Sequence, residues 1–247
     1  MKFFCSKISV FLRLLFIGSI LVISIGVSTE AQTLPPDVGI ITQLSGDVTY
    51  KNENYQKTPE KPEAFMKILQ GDHFKVGVKA MVQLIYFRSG RRETWKGPAA
   101  FVVGETQSRA KREKGIQAQP EVKILPSGVS EGMRRIPVLL KRAGLGSSGI
   151  MQVRGIDGDL QKSIELSEEG RAKIATAKEN YQNLRKQTKA NDITPELYLL
   201  GILGDYDQFE EMEEIIKDAV KIQPDNEVLK KLEEWVQDQK AQSTNKL

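Results

Sequence analysis

Three arginines and one tryptophan around a predicted turn are the strongest candidates for binding a ligand. Arg88 precedes Ser89-Gly90, Arg91 and Arg92 follow it, and Trp95 comes three residues later. Guanidinium groups donate charge-assisted hydrogen bonds to oxyanions, and an aromatic neighbour adds stacking. The pattern therefore predicts a site for phosphate, sulfate or a sugar acid. The alternative interpretation is a solvated hairpin tip, because arginines are common on protein surfaces.

The small number of histidine and cysteine residues restricts the chemistry that the chain can perform. A Ser-His-Asp triad could form only around His73, the single histidine. The single cysteine, Cys5, excludes a disulfide framework and a cysteine-rich zinc site. We expect His73 to be a structural or surface residue, and we predict no catalytic residues, no metal and no cofactor. These features favour a binding or structural protein over an enzyme.

A glycine-rich segment at residues 144–149 has the sequence G-x-G-x-x-G. This motif binds a dinucleotide only between a strand and a long helix, where the helix N-terminus holds the pyrophosphate. The next residues, 150–155, have the pattern of an extended segment. We therefore interpret the glycines as a flexible linker.

Residues 1–31 have the layout of a secretory signal peptide. A basic start that includes Arg13 precedes an apolar run at residues 14–27, and Thr29 and Ala31 supply small residues at the positions that a signal peptidase reads. The run is shorter than the roughly 20 apolar residues of a membrane span. We predict cleavage and a periplasmic or extracytoplasmic protein. The alternative is an uncleaved segment that anchors the protein in the inner membrane.

Charge divides the rest of the chain into two halves. Residues 32–160 carry more lysine and arginine than acidic residues, whereas residues 161–247 carry more aspartate and glutamate. Such a change of sign indicates two units of different character. The basic half is predicted to engage an anionic envelope component or to attract the acidic half. Nucleic acid is not an expected partner outside the cytoplasm.

Short apolar runs separated by glycine turns predict an all-β domain in the basic half. Residues 38–50, with a turn at Ser45-Gly46-Asp47, have the pattern of a β-hairpin, and residues 52–62 are predicted to form a loop. Further strands are predicted at residues 73–76, 92–95, 100–103 and 121–125. Residues 105–119 are interpreted as a loop or a short exposed helix, and residues 126–160 as a linker or a packed irregular segment.

The strongest strand pattern covers residues 80–87. Both of its faces are mostly apolar, so we expect a central strand that is covered on both sides. Residues 88–91 then form a predicted hairpin turn, in which Gly90 is free to take a positive φ.

The order of these turns and strands resembles that of a known family. The matching residues are Gly46-Asp47-Val48, Leu69-Gln70-Gly71-Asp72, Gly77, Ala80-Met81-Val82-Gln83-Leu84, Phe87-Arg88-Ser89-Gly90-Arg91 and Gly97-Pro98-Ala99. The pattern resembles the FecR domain over residues 38–105, with an extension to about residue 125 as an alternative boundary. The resemblance implies an extracytoplasmic β domain. Ser89 and Arg91 stand where the family usually has an aspartate and a small residue.

The acidic half has the period of amphipathic helices. Apolar residues recur at intervals of three and four through residues 161–240, which predicts four helices, each with one apolar stripe. The four stripes are Ile174, Ala177, Tyr181 and Leu184; Leu197, Leu200 and Leu203; Phe209, Met212, Ile216, Ala219 and Val220; and Val228, Leu229, Leu232, Trp235 and Val236. Thr194 is the predicted N-cap of the second helix, with Pro195 at its first position.

Residues 194–235 resemble a tetratricopeptide repeat. Gly204-Asp205-Tyr206 matches the turn between the two helices of that repeat, and Ala219 and Pro224 match its late alanine and terminal proline, although three extra residues precede the alanine. One repeat needs neighbouring helices to bury its apolar face. The resemblance implies a small antiparallel helical module that binds a protein or a peptide.

The predicted fold class is α+β in separate units: an all-β FecR-like domain followed by a tetratricopeptide-like helical module. The predicted function is non-enzymatic binding or scaffolding in the cell envelope, with a protein or an anionic envelope component as partner. One alternative is a membrane-anchored regulator of the FecR type, which requires an uncleaved N-terminal segment. A second alternative, an envelope hydrolase, requires a catalytic constellation that these residues do not supply.

Overall fold

Strands fill the first part of the chain and helices fill the second in the computed structural model. The structure describes residues 36–54, 56–112, 115, 117–126, 128–145 and 166–244. Its strands are β1 (Asp37–Ser45), β2 (Val48–Asn52), β3 (Gln56–Glu60), β4 (Lys67–Leu69), β5 (His73–Val76), β6 (Met81–Tyr86), β7 (Arg91–Lys96), β8 (Ala99–Val103), β9 (Ser108–Lys111) and β10 (Glu121–Ile124). Its helices are α1 (Val129–Arg142), α2 (Glu168–Gln187), α3 (Thr194–Asp205), α4 (Phe209–Ile222) and α5 (Glu227–Thr244). The predicted α+β order is confirmed.

The strands form two antiparallel sheets that pack face to face. The first sheet has the order β10-β7-β6-β1-β4, and the second has the order β3-β2-β5-β8-β9. Apolar side chains from both sheets form one core between them, in which the Trp95 ring of the first sheet stacks on the Phe101 ring of the second at 4.3 Å. Along each strand, side chains alternate between this core and the outer face of the sheet, which is the arrangement of a β-sandwich.

The predicted hairpin at residues 38–50 is wrong, because β1 and β2 belong to different sheets. The chain crosses from one sheet to the other at Gly46, and it crosses again at Gly77 and Gly97. A Cβ on Gly97 would lie 1.7 Å from the carbonyl oxygen of Gly77, and the Gly77 N–H donates to the carbonyl of Asp47 at 2.8 Å. Backbone segments therefore meet closely at this corner, which requires glycine. A turn signal alone does not reveal which strand is the pairing partner.

The prediction for the central strand is confirmed. Strand β6 lies between β1 and β7. Val82 and Leu84 point into the sandwich core, whereas Ile85 points to the opposite face and packs among the helices. The helices therefore cover the outer face of the first sheet. The hairpin turn after β6 is also confirmed, with Gly90 at φ 61°.

Three elements differ from the sequence prediction. The predicted loop at residues 52–62 contains edge strand β3, in which Pro59 is tolerated because an edge strand has one unpaired side. Residues 105–119 contain edge strand β9 in place of a loop or helix. Residues 126–160 contain helix α1, which the sequence concealed because Gly132 and Pro137 lie inside it. Residues 146–165, including most of the G-x-G-x-x-G segment, lie outside the described residues, as do residues 1–31.

Helix α3 lies at the centre of the helical layer. Every residue from Thr194 to Gly204 is buried, because α1, α2 and α4 all pack against α3, and α5 packs on α4. The predicted helical stripes are confirmed, although only part of the buried surface of α3 was predicted. The N-cap is Ile193 instead of Thr194, and the Asp192 carboxylate accepts a hydrogen bond from the Thr194 N–H at 3.0 Å.

The crossing of α1 and α3 predicts a large effect for one added methyl group. A Cβ on Gly201 would lie 2.3 Å from the carbonyl oxygen of Gly132, and a backbone atom inside a helix cannot move aside. We expect Gly201→Ala to lower the free energy of unfolding by about 3 kcal/mol, the upper end for overpacking. Urea unfolding followed by circular dichroism measures the loss. Gln237→Ala, on the exposed surface of α5, is the control, and equal stability of the two variants would show that the helices do not pack as described.

Candidate functional site

The outer face of the second sheet carries a row of basic side chains. Strand alternation directs the rings of Tyr50, Phe74 and Phe101 into the core, where they stack on one another at 5.7 and 5.2 Å. The residues next to these rings along each strand point to the opposite face of the sheet and therefore face outward. Among these, Lys51 lies opposite His73, and Ala100 lies between Lys75 and Lys111.

These outward residues line a groove of about 620 Å³ that runs across all five strands of the sheet. We call it the basic groove and define it by Thr49, Lys51, Glu53, Lys57, His73, Lys75, Ala100, Lys111 and Arg112. The charged side chains among its described lining residues are four lysines, one arginine and one carboxylate, Glu53, which lies 3.7 Å from the ammonium of Lys51. The volume is within the range of ligand sites. The groove therefore has the charge and the size to hold an anion.

His73 lies within the basic groove, where a lysine is its hydrogen-bond partner. Lys111 Nζ lies 3.1 Å from His73 Nδ1, and because an ammonium group can only donate, the ring nitrogen must accept. Partial burial lowers the pKa of His73 below its usual 6.5, and the charge of Lys111 lowers it further. The imidazole is therefore neutral at pH 7 and gains a charge only when the pH falls or an anion approaches.

The pKa of His73 gives a direct test of this environment. Since the chain has one histidine, its ring protons can be followed by NMR in a pH titration without assignment. We expect a pKa below 6.5, and we expect Lys111→Gln to raise it, because the cation no longer opposes protonation. Because the folded-state pKa of His73 is below the unfolded value, the neutral imidazole contributes to stability above pH 6.5. This contribution is lost as the pH falls through the folded pKa. Lys186→Gln is the control, and a pKa at or above 6.5 would contradict the described contacts.

The predicted arginine–tryptophan site does not form one surface. Trp95 is 0% exposed, and its indole N–H donates to Glu93 Oε2 at 3.0 Å inside the sandwich. Arg91 Nε donates to the same carboxylate at 2.6 Å. Arg88 pairs with Glu105. Each side chain thus already has a partner, and the Trp95 ring has no face open to a ligand.

Arg92 points to the opposite face of β7, toward the helical layer. Its side chain is 9% exposed, and its guanidinium pairs with the buried carboxylate of Asp192. Asp192 Oδ1 also accepts from Gln83 Nε2 at 3.5 Å and from the Thr194 hydroxyl at 2.6 Å. The predicted ligand residue Arg92 therefore joins the first sheet to the start of α3. Anion binding by Arg88 or Arg91 is a prediction that these contacts leave untested.

The basic groove was missed from the sequence, although it left a signal. Strand β5 reads His-Phe-Lys-Val and β9 reads Ser-Arg-Ala-Lys, so cations and small or apolar residues alternate with a period of two. This alternation places the cations of each strand on one face. Residues 105–119 are rich in lysine and arginine, but the pairing of β9 with β8 cannot be deduced from a four-residue strand.

No family model, no curated protein and no solved structure matches this chain. The resemblances to the FecR domain and to the tetratricopeptide repeat therefore stay predictions, carried by the motifs given above.

In the part of the chain that the structure describes, no three His, Cys, Asp or Glu side chains are grouped closely enough to hold a metal ion. No helix among the same residues is long and apolar enough to cross a membrane. The predicted signal peptide at residues 1–31 is outside that part.

Proposed function

We propose that this protein is an exported, non-enzymatic binding protein whose basic groove engages an anionic component of the cell envelope. The observation that carries the proposal is the collection of Lys51, Lys57, Lys75, Lys111 and Arg112 in one groove, whose described lining includes one carboxylate. A bound anion would bring opposite charge to all of these cations at once.

The electrostatics of this sheet face support the proposal. The lysines of β2, β5 and β9 do not lie directly opposite one another, since Lys51 faces His73 and Ala100 lies between Lys75 and Lys111, but together they give the face a positive potential. An anion in the groove gains charge-assisted hydrogen bonds with the ammonium groups. The charge of the groove therefore favours a bound anion.

The arrangement of layers also supports the proposal. The outer face of the first sheet packs against the helices, where Ile40 and Ile85 are 0% exposed. The outer face of the second sheet instead carries exposed lysines, including Lys75 and Lys111. The groove is accordingly open to a large ligand in the described part of the chain.

A salt titration tests the proposed function. The protein is titrated with dextran sulfate by isothermal calorimetry at increasing NaCl concentration, with uncharged dextran as the control. We expect binding only to the charged polymer, and an affinity that falls steeply with salt because each engaged cation displaces counterions, as at a nucleic-acid backbone. Equal binding of both polymers, or none of either, would contradict the proposal.

Peptide binding by the helical layer is a second candidate function. It is favoured by a groove of about 500 Å³ in which the α4–α5 turn, at Pro224-Asp225-Asn226, faces Gln43 and Leu44 of β1. Pull-down of an envelope protein that is lost in Asn226→Arg but kept in Lys75→Gln would support this candidate. N-terminal sequencing of the protein isolated from cells distinguishes a cleaved, exported form from the membrane-anchored alternative.

A further inference from the structure

We infer that the ligand of the basic groove is a linear acidic polysaccharide that lies across the strands of the second sheet. This inference rests on the proposed function and specifies the class of anion. The evidence is the length of the groove, its concave shape, the position of Glu53 and the burial of the aromatic rings among the lining residues that the structure describes.

The groove has the length for a chain. Its lining residues come from every strand of the sheet, from Lys57 in β3 at one end to Lys111 in β9 at the other. Neighbouring strands lie about 4.8 Å apart, so the four intervals span roughly 19 Å. A single small anion would contact only part of this length. A polymer that crosses the strands reaches the cations at both ends.

The shape of the groove favours a polymer strand over a membrane surface. Ala100, a small residue between Lys75 and Lys111, forms the low floor, and the longer side chains rise on either side of it. A chain can enter such a concave site, whereas a flat layer of lipid headgroups would contact only its rims.

Glu53 distinguishes a polysaccharide from a polyanion without hydroxyl groups. Its carboxylate lies in the groove beside Lys51, and it would repel an anionic chain that brings no hydrogen-bond donor to it. An acidic polysaccharide carries hydroxyl groups between its acidic groups. The hydroxyl groups can donate hydrogen bonds to Glu53 and can form hydrogen bonds with the Thr49 hydroxyl, while the acidic groups form ion pairs with the lysines.

The lining residues also argue against a single-stranded nucleic acid. Sites for such strands combine positive charge with aromatic rings on which the bases stack. Among the described lining residues, the aromatic ones, Tyr50, Phe74 and Phe101, are each at most 1% exposed because their rings fill the sandwich core. These described residues therefore offer charge and hydrogen bonds without a stacking surface.

Two carboxylate polymers that differ in their hydroxyl groups provide the test. Polygalacturonate carries hydroxyl groups between its carboxylates, and polyglutamate does not. Both are titrated into the full-length protein and into Glu53→Gln at one salt concentration. Because a charge-assisted hydrogen bond corresponds to roughly tenfold in affinity, we expect Glu53→Gln to weaken polygalacturonate binding about tenfold and to strengthen polyglutamate binding. Glu234→Gln, an exposed position on α5, is the charge-matched control and should change neither affinity.

The outcomes separate this inference from the proposed function. Opposite shifts for the two polymers support the polysaccharide. A shift of the same sign for both, or tighter binding of polyphosphate or of phosphatidylglycerol vesicles that still depends on Lys75 and Lys111, would overturn the inference and leave the proposed function in place. Binding of none of these probes would overturn both.

Discussion

Replacement of Asp192 by alanine is expected to lower the free energy of unfolding by about 3–5 kcal/mol. The carboxylate pairs with the Arg92 guanidinium between the first sheet and the helical layer, where the Asp192 side chain is 5% exposed. Its removal leaves a buried cation without its partner. It also removes the acceptor for the Thr194 N–H at the start of α3.

Urea unfolding followed by circular dichroism measures this loss, with two matched variants. Asp192→Asn keeps an acceptor for the Thr194 N–H but removes the charge, so we expect an intermediate stability. Asp238→Ala, on the exposed surface of α5, should change the free energy of unfolding by less than about 0.5 kcal/mol. If Asp192→Ala and Asp238→Ala were equally stable, the Arg92–Asp192 pair could not join the two layers.

Neutralisation of the basic groove is expected to have the largest effect on binding. The triple substitution Lys51→Gln, Lys75→Gln and Lys111→Gln removes three cations from one face of the second sheet. We expect the affinity for dextran sulfate at low salt to fall roughly 100-fold, which corresponds to about 1 kcal/mol for each lost contact. The dependence of log affinity on log salt should become shallower by roughly one unit for each cation removed.

The control for this variant carries the same change of net charge elsewhere. Lys186→Gln, Lys221→Gln and Lys231→Gln together remove three exposed cations from the helical layer. We expect this control to bind dextran sulfate almost as well as the parent protein. The groove variant should keep a free energy of unfolding within about 0.5 kcal/mol of the parent protein for each substitution, because the three side chains lie on the outer face of the sheet. Equal losses of affinity in the two triple variants would assign binding to net charge and not to the groove.

Periodicity predicted most of the secondary structure and the two-part order of the fold. The run at residues 80–87 was identified as a strand buried on both faces, and β6 has that environment. Helices α2 to α5 lie where intervals of three and four predict them. These signals are local, because the positions of the apolar residues within an element indicate which of its faces is buried.

Partners in sheet pairing could not be predicted from the same signals. The turn at Gly46 has the composition of a hairpin turn, yet β1 pairs with β6 and β2 pairs with β5. The crossing after Gly46 is accompanied by contacts that are distant in the chain, since the Asp47 carbonyl accepts from the Gly77 N–H, and Gly77 lies close to Gly97. Helix α1 was concealed by Gly132 for a similar reason, since that glycine is needed for the contact with α3.

The candidate site depended on the same long-range information. Arg92 and Trp95 are three residues apart, and an odd spacing along a strand places two side chains on opposite faces. That signal was available in the sequence and argues against one site that contains both residues. The basic groove, in contrast, combines residues from Thr49 to Arg112, and only the register of β2, β5, β8 and β9 places them together.

The most direct test of the account is an NMR map of the bound polyanion. Spectra of ¹⁵N-labelled protein are recorded while polygalacturonate is added, and the pKa of His73 is measured with and without it. We predict that the shifted amides lie in β2, β5, β8 and β9, and that the pKa of His73 rises, because a bound carboxylate favours the imidazolium. Shifts confined to the helices, with no change in the pKa of His73, would contradict a binding site in the basic groove.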